Sequence, residues 1–136
     1  MDDEFFAELV ETFILEFEEL MGLYASALKT LRKRGGLNDA KKQAYADLFR
    51  IYHTLKGDSG YFPDFANFTS FATAYCERLR PLDDSVYTDD QLREEIRLNY
   101  SRLSSVLMAL QKGRSLKSFS FNQFQPAELQ DIEETQ

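Results

Sequence analysis

Apolar residues recur every three or four positions from Asp3 to Arg34, where Phe6, Leu9, Val10, Phe13, Phe17, Leu20, Tyr24, Leu28 and Leu31 follow one another. This is the period of a single helical face, and it predicts a long first helix. Asp2, Asp3 and Glu4 stand at its positive end, and Lys29, Arg32, Lys33 and Arg34 at its negative end, ahead of a Gly35-Gly36 stop. Asn38 or Asp39 is placed to cap a second helix, whose apolar line is Ala44, Leu48, Ile51 and Leu55 and which runs to about Ser59. Past the break at Gly60 to Pro63, Asp64 is the expected cap of a third helix, with Phe65, Phe68, Ala72, Tyr75 and Leu79 on one side and Pro81 at its end. Leu82 to Tyr87 reads as a short acidic loop.

Thr88-Asp89-Asp90-Gln91 fits a capping box with Thr88 as the cap, opening a helix with Leu92, Ile96, Tyr100, Leu103, Leu107 and Leu110 inward and Gly113 at its close. Beyond it Phe119, Phe121 and Phe124 punctuate a Ser-containing stretch, and Pro126 is placed to start one more short helix through Glu134. Four amphipathic helices with brief connections predict an all-α fold, an antiparallel up-down four-helix bundle spanning residues 1–113. Residues 114–136 are then expected to form a linker and a short fifth helix.

The composition supports this reading. A chain of 136 residues, 43% of them hydrophobic, can bury one core, and its three prolines and six glycines leave long uninterrupted segments. Twelve Phe and seven Tyr supply bulky core material. The net charge of −7 argues against a nucleic-acid surface, which needs clustered cations to neutralise phosphates. A protein or small-molecule partner is expected instead. The opening M-D-D-E-F-F has neither the basic start nor the apolar run of a secretory signal, and no stretch has the length of a membrane span, so a cytoplasmic location without membrane attachment is expected. The single cysteine, Cys76, lies among apolar residues and reads as a small buried hydrophobe. A bundle that closes its own core is expected to be a monomer, although the same helices could share a core between copies.

The stretch Y-H-T-L-K-G-D-S-G-Y-F, Tyr52 to Phe62, holds the only histidine. At roughly 100° per residue, His53 lies about 170° from the mean direction of the second helix's core line, so its imidazole is expected in solvent. Ala46, Phe49, Arg50, Gly57 and Gly60 fall within about 60° of the same direction and form the expected contact surface. Glycine inside a helix costs roughly 1 kcal/mol relative to alanine. Gly57 therefore either clears space for a partner beside the imidazole or marks a helix that is ending. Lys56, one turn on, is placed to meet anionic oxygen held on the imidazole, or is an ordinary solvated lysine. A free imidazole is mostly neutral at pH 7, and a nearby ammonium favours that nucleophilic form. No second His or Cys lies at ligand spacing, so neither a metal nor a cofactor is expected. A histidine with a purely structural role is the plainer alternative.

Gly57-Asp58-Ser59-Gly60 matches the tetrapeptide around the nucleophile of trypsin-like proteases. Those enzymes are β-barrels. Here His53 precedes Ser59 by six residues, about 120° around one helix, which disfavours a direct hydrogen bond between them.

The run His53-Thr54-Leu55-Lys56-Gly57-Asp58-Ser59-Gly60 resembles the H-x-x-K-G signature of histidine-containing phosphotransfer domains. With its acidic opening helix, the chain looks most like the N-terminal phosphoacceptor domain of chemotaxis-type histidine kinases, over about residues 1–113. The resemblance implies that His53 accepts a phosphoryl group, that Lys56 steadies it, and that Gly57 and Gly60 give clearance to partners. Those partners would be a histidine kinase catalytic domain and a response-regulator receiver domain. It also implies a third-helix glutamate that orients the imidazole, for which Glu77 is the candidate, a solvated charge being the alternative. Relatives tend to carry a second histidine in that helix, and Phe71 to Glu77 contains none. The domain would be a phosphoryl carrier and not an enzyme, since neither a Gly-rich nucleotide loop nor a carboxylate cluster for Mg²⁺ is present. The rival expectation is a non-catalytic helical interaction module, docking a partner through Phe49, Gly57 and Gly60 with His53 incidental.

Overall fold

A computed structural model of the chain describes residues 3–118. Helix α1 spans Asp3–Leu31, with Asp3 and Glu4 in its first turn. It stops as the chain turns through Gly35, whose φ of 105° is open to glycine and strained for other residues. The turn is tied down from the next helix, because Lys41 Nζ donates to the carbonyls of Lys33 (2.8 Å) and Gly35 (2.7 Å). Helix α2, Asp39–Ser59, begins at an Asn38 cap whose side chain accepts from the Lys41 amide at 2.8 Å.

The third segment departs from expectation at its start. Pro63–Phe65 forms a 3₁₀ turn before α3, Ala66–Leu79, and Asp64 does not cap the helix. Proline at the first position presets φ and sacrifices an amide that would be unpaired in any case, so the tight turn begins there. Asp64 instead pairs with Lys117 at 3.2 Å. The expected acidic loop also contains a one-turn helix, α4, Asp84–Tyr87, capped by Asp83. Helix α5, Asp90–Gln111, is capped by Asp89, which accepts from the Leu92 amide at 2.9 Å. Thr88, the residue expected to cap it, donates its hydroxyl to Asp84 O, closing α4. A carboxylate one residue later in the chain has taken the cap.

Side-chain pairs give the helix directions. Phe13 meets Phe62 and Tyr24 meets Tyr52, so α1 and α2 are antiparallel. Tyr52 meets Tyr75 and Ser59 meets Thr69, so α2 and α3 are too. Tyr24 reaches Ile96 and Glu18 reaches Gln111, which sets α5 antiparallel to α1. The result is an all-helical bundle with four long helices and one core, and no strand occurs among the described residues.

At one end Phe13, Phe17, Phe62, Phe65 and Phe68 interlock with ring centroids 4.8–6.3 Å apart. Each ring buried this way contributes about 1.5–3 kcal/mol through lost hydration alone. Past Gly113, where φ is 75°, a second 3₁₀ turn at Leu116–Ser118 packs on the bundle, with Leu116 buried. The segment expected to be a linker from residue 114 thus joins the core at its start. The helix expected from Pro126 to Glu134 lies outside the described residues. No helix among those described is long and apolar enough to cross a membrane.

Candidate functional site

Helix α2 sorts its side chains sharply. Ala44, Leu48, Ile51 and Leu55, the expected core line, are all buried, and so are Tyr45, Tyr52 and Ser59. His53 is exposed, as the angular reading of the sequence requires.

The buried side of this helix is locked by hydroxyl groups. Tyr52 Oη lies 2.6 Å from Tyr24 Oη, Tyr24 donates to Ile96 O at 2.5 Å, and Asn99 Nδ2 donates to Tyr52 Oη at 3.0 Å. Burial holds both tyrosine hydroxyls well above their ordinary titration range, so they act as neutral hydrogen-bonding groups. Nearer the C-terminus of α2, buried Ser59 lies 2.6 Å from Thr69 Oγ1 and donates to Lys56 O at 3.3 Å. Ser59 is therefore a tie between α2 and α3. It faces Thr69 and not His53, which leaves the protease-like tetrapeptide without a base beside its serine.

On the outer side, the Phe49 and His53 rings are 5.9 Å apart and inclined at 42°. Lys56 is partly buried one turn further on, and Gly57 is exposed. The position a Cβ would take on Gly57 has nothing within 4 Å among the described residues, so no packing against them demands glycine there. Gly60 is exposed as well, and a Cβ on it would sit 3.4 Å from the carbonyls of Lys56 and Gly57. Its backbone is right-handed helical, with its amide donating to Lys56 O at 3.3 Å. Gly57 is thus the position with unrestricted room. Arg50 is exposed but engaged with Asp47 at 2.6 Å.

Glu77 lies on α3, and its carboxylate is engaged elsewhere than with the imidazole it was expected to orient. Both carboxylate oxygens are held by Arg80, Oε1 by Nη2 at 2.9 Å and Oε2 by Nε at 3.3 Å. Among the described residues no hydrogen bond joins Glu77 to the imidazole. The fork of a guanidinium three residues along the helix matches a carboxylate at both points, and that local pairing takes the oxygens. Arg80's hydrogen bond, with its charge, holds the Glu77 carboxyl below its ordinary range, and the Lys56 charge adds a smaller push in the same direction.

Arg80 is a further residue of this surface that no sequence motif marks. Its guanidinium carbon lies 5.7 Å from the centre of the Phe49 ring. Phe49, expected to meet a partner, is therefore flanked by His53 and Arg80 within the protein. The signal available in the sequence was the Glu77 to Arg80 spacing of three on one helix, ordinary for a surface ion pair. Cys76, beside Glu77, is buried, and burial raises its thiol above the usual value, in keeping with a packing role.

A second group of acids lies close to the motif. Asp58, next to Gly57, hydrogen-bonds Glu16 of α1, and both line a cleft together with Leu9, Phe13 and Phe62. That hydrogen bond above all, then burial and the Asp58 charge, push the Glu16 carboxyl up from an ordinary 4.5 to about 7. No group of three or more metal-ligating side chains occurs among the described residues.

Comparison with protein-family models, with curated proteins and with solved structures returned no match to this chain.

Proposed function

We propose that the domain is a phosphorelay intermediate of two-component signalling, with His53 as the phosphoacceptor. The observation that carries this reading is the exposed imidazole on the outer face of α2, with Lys56 one turn away and open space above Gly57. An unprotonated ring nitrogen of His53 attacks the terminal phosphorus of ATP held by a kinase domain. The P–N bond forms as the P–O bond to the leaving ADP breaks, and the other ring nitrogen keeps its proton or passes it to solvent. A carboxylate oxygen of a receiver-domain aspartate then attacks the same phosphorus. A P–O bond forms, the P–N bond breaks, and the imidazole returns to its neutral form. Lys56 offsets charge on the phosphoryl oxygens during both steps. Nucleotide and metal reside on the partners, so the domain carries the group without catalysing its release from ATP.

The missing side chain at Gly57 suits both steps, because each requires another protein's reacting atoms to come within about 3–3.5 Å of the ring. The test is labelling with candidate histidine kinases and radiolabelled ATP, wild type against His53→Gln. Label that is acid-labile, alkali-stable and confined to the wild type is the expected result. Label that persists in the variant removes His53 from the mechanism, and its absence from both proteins with every kinase tried favours an interaction module.

A further inference from the structure

We propose that Arg80 is a positioning residue for His53: gripped at two points by Glu77, its guanidinium lies against Phe49 and holds that ring beside the imidazole. The inference rests on the reading of His53 as phosphoacceptor for its chemical meaning, and on geometry alone for its existence.

Four side chains from two helices form the chain of contacts. Phe49 and His53 are one turn apart on α2, with ring centres 5.9 Å apart. Arg80, at the C-terminal cap of α3, sets its guanidinium 5.7 Å from the Phe49 ring centre, inside the range of a cation–π contact. Glu77 holds that guanidinium through Nη2 at 2.9 Å and Nε at 3.3 Å. An exposed ion pair of this kind adds little to stability, so its consequence is directional. A long side chain that would otherwise sample many rotamers is kept where it meets the ring.

The imidazole needs such a neighbour. Rotation about the bond to a histidine ring is soft, and an unattached ring samples orientations in which neither nitrogen meets an incoming phosphorus in line. Among the described residues no hydrogen bond from Glu77 fixes it. A phenylalanine ring held in place narrows the range by contact. The fork matters more than the charge, because only a planar guanidinium can engage both carboxylate oxygens and still lie against an aromatic ring. Arg80 thereby restricts from α3, through Phe49, the ring orientation that a direct hydrogen bond to the imidazole would otherwise fix.

The chain has a single histidine, so its imidazole resonances need no disentangling once any polyhistidine tag is removed. Wild type, Arg80→Ala, Arg80→Lys and Phe49→Leu are compared by nuclear Overhauser effects from the imidazole protons to residue 49 and to Arg80. The same four proteins are treated with potassium phosphoramidate, a small donor that needs no docking surface, and the rate of P–N bond formation on His53 is followed by ³¹P NMR. Ammonia leaves as the phosphoryl group transfers. Thermal melts of the two Arg80 variants are expected to match the wild type, because the side chain is exposed.

The expected result is a loss of the Phe49–His53 cross-peak intensity in Arg80→Ala and Arg80→Lys alike, and a rate lower by about threefold or more in all three variants. Unchanged cross-peaks and rate in Arg80→Ala overturn the proposal. Wild-type behaviour in Arg80→Lys overturns it too, since charge alone would then suffice. If the cross-peaks respond as expected but wild-type His53 takes label from neither phosphoramidate nor any kinase, the positioning stands and the phosphoacceptor reading falls.

Discussion

Tyr52 and His53 are consecutive residues with opposite surroundings: the Tyr52 ring is wholly buried, its hydroxyl 2.6 Å from that of Tyr24, while the His53 imidazole stands in solvent. The rotation of a helix by roughly 100° per residue makes this possible. It also gives the exposed side chain a rigid base, because its immediate neighbour is pinned to α1 and α5. Tyr52→Phe keeps the ring stacking but strips the oxygen that accepts from Asn99. We expect a loss of about 1–2 kcal/mol in urea unfolding, the cost of leaving buried polar groups unpaired, with an unchanged helical spectrum. A change below the error of the melt would show that Asn99 and Tyr24 find other partners.

Under the phosphorelay proposal, Gly57 is a position where stability and transfer are expected to respond in opposite directions. A Cβ there meets nothing among the described residues, and the backbone is ordinary helix, so Gly57→Ala is expected to stabilise the domain by about 0.5–1 kcal/mol. Gly57→Leu is expected to keep most of that gain and yet slow phosphoryl transfer from a kinase domain several-fold. Equal transfer rates for glycine and leucine would defeat the clearance argument, whatever the stability did.

The long helices were legible because their apolar positions repeat with the helical period over many turns, and the outward direction of His53 followed from the same arithmetic. What escaped was local competition. Thr88 and Asp89 are adjacent capping residues, and which of them caps α5 depends on α4, where Thr88 donates to Asp84 O. One turn of helix is too short to show a period. Glu77 could be placed on the correct helix, but its partner could not be read from a motif, since Arg80 binds it through ordinary side-chain geometry three residues away. The Glu16–Asp58 pair joins two helices across 42 positions of sequence, and the packing of α1 on α2, with Phe13 against Phe62, brings those carboxyls together.

The start of α2 offers an independent check on the fold. Asn38 accepts from the Lys41 amide at 2.8 Å, and Lys41 Nζ in turn holds the carbonyls of Lys33 and Gly35. Asn38→Ala is expected to cost about 1 kcal/mol, the usual value of a lost cap. Amide exchange should quicken most in the first turn of α2. Protection that falls equally along the whole helix would mean that the cap does not act locally.

Glu16 gives the domain a pH dependence of definite sign. Its carboxyl sits near 7 in the folded chain, against an ordinary 4.5, because Asp58 hydrogen-bonds it and burial disfavours its charge. The folded state therefore binds this proton more tightly than the unfolded state does. The associated stability is fully present below about pH 4.5, declines as the pH rises towards 7 and is absent above that. Because the pair is only partly buried, solvent screening limits the effect to roughly 1 kcal/mol. Glu16→Gln removes the titration while preserving a hydrogen-bonding group of similar shape. Urea melts at pH 5 and pH 8 should show the variant close to wild type at the lower pH and more stable at the higher, and the difference isolates the Glu16–Asp58 pair because the remaining carboxylates are common to both proteins. A stability difference that is the same at both pH values would mean that the two carboxyls do not share a proton.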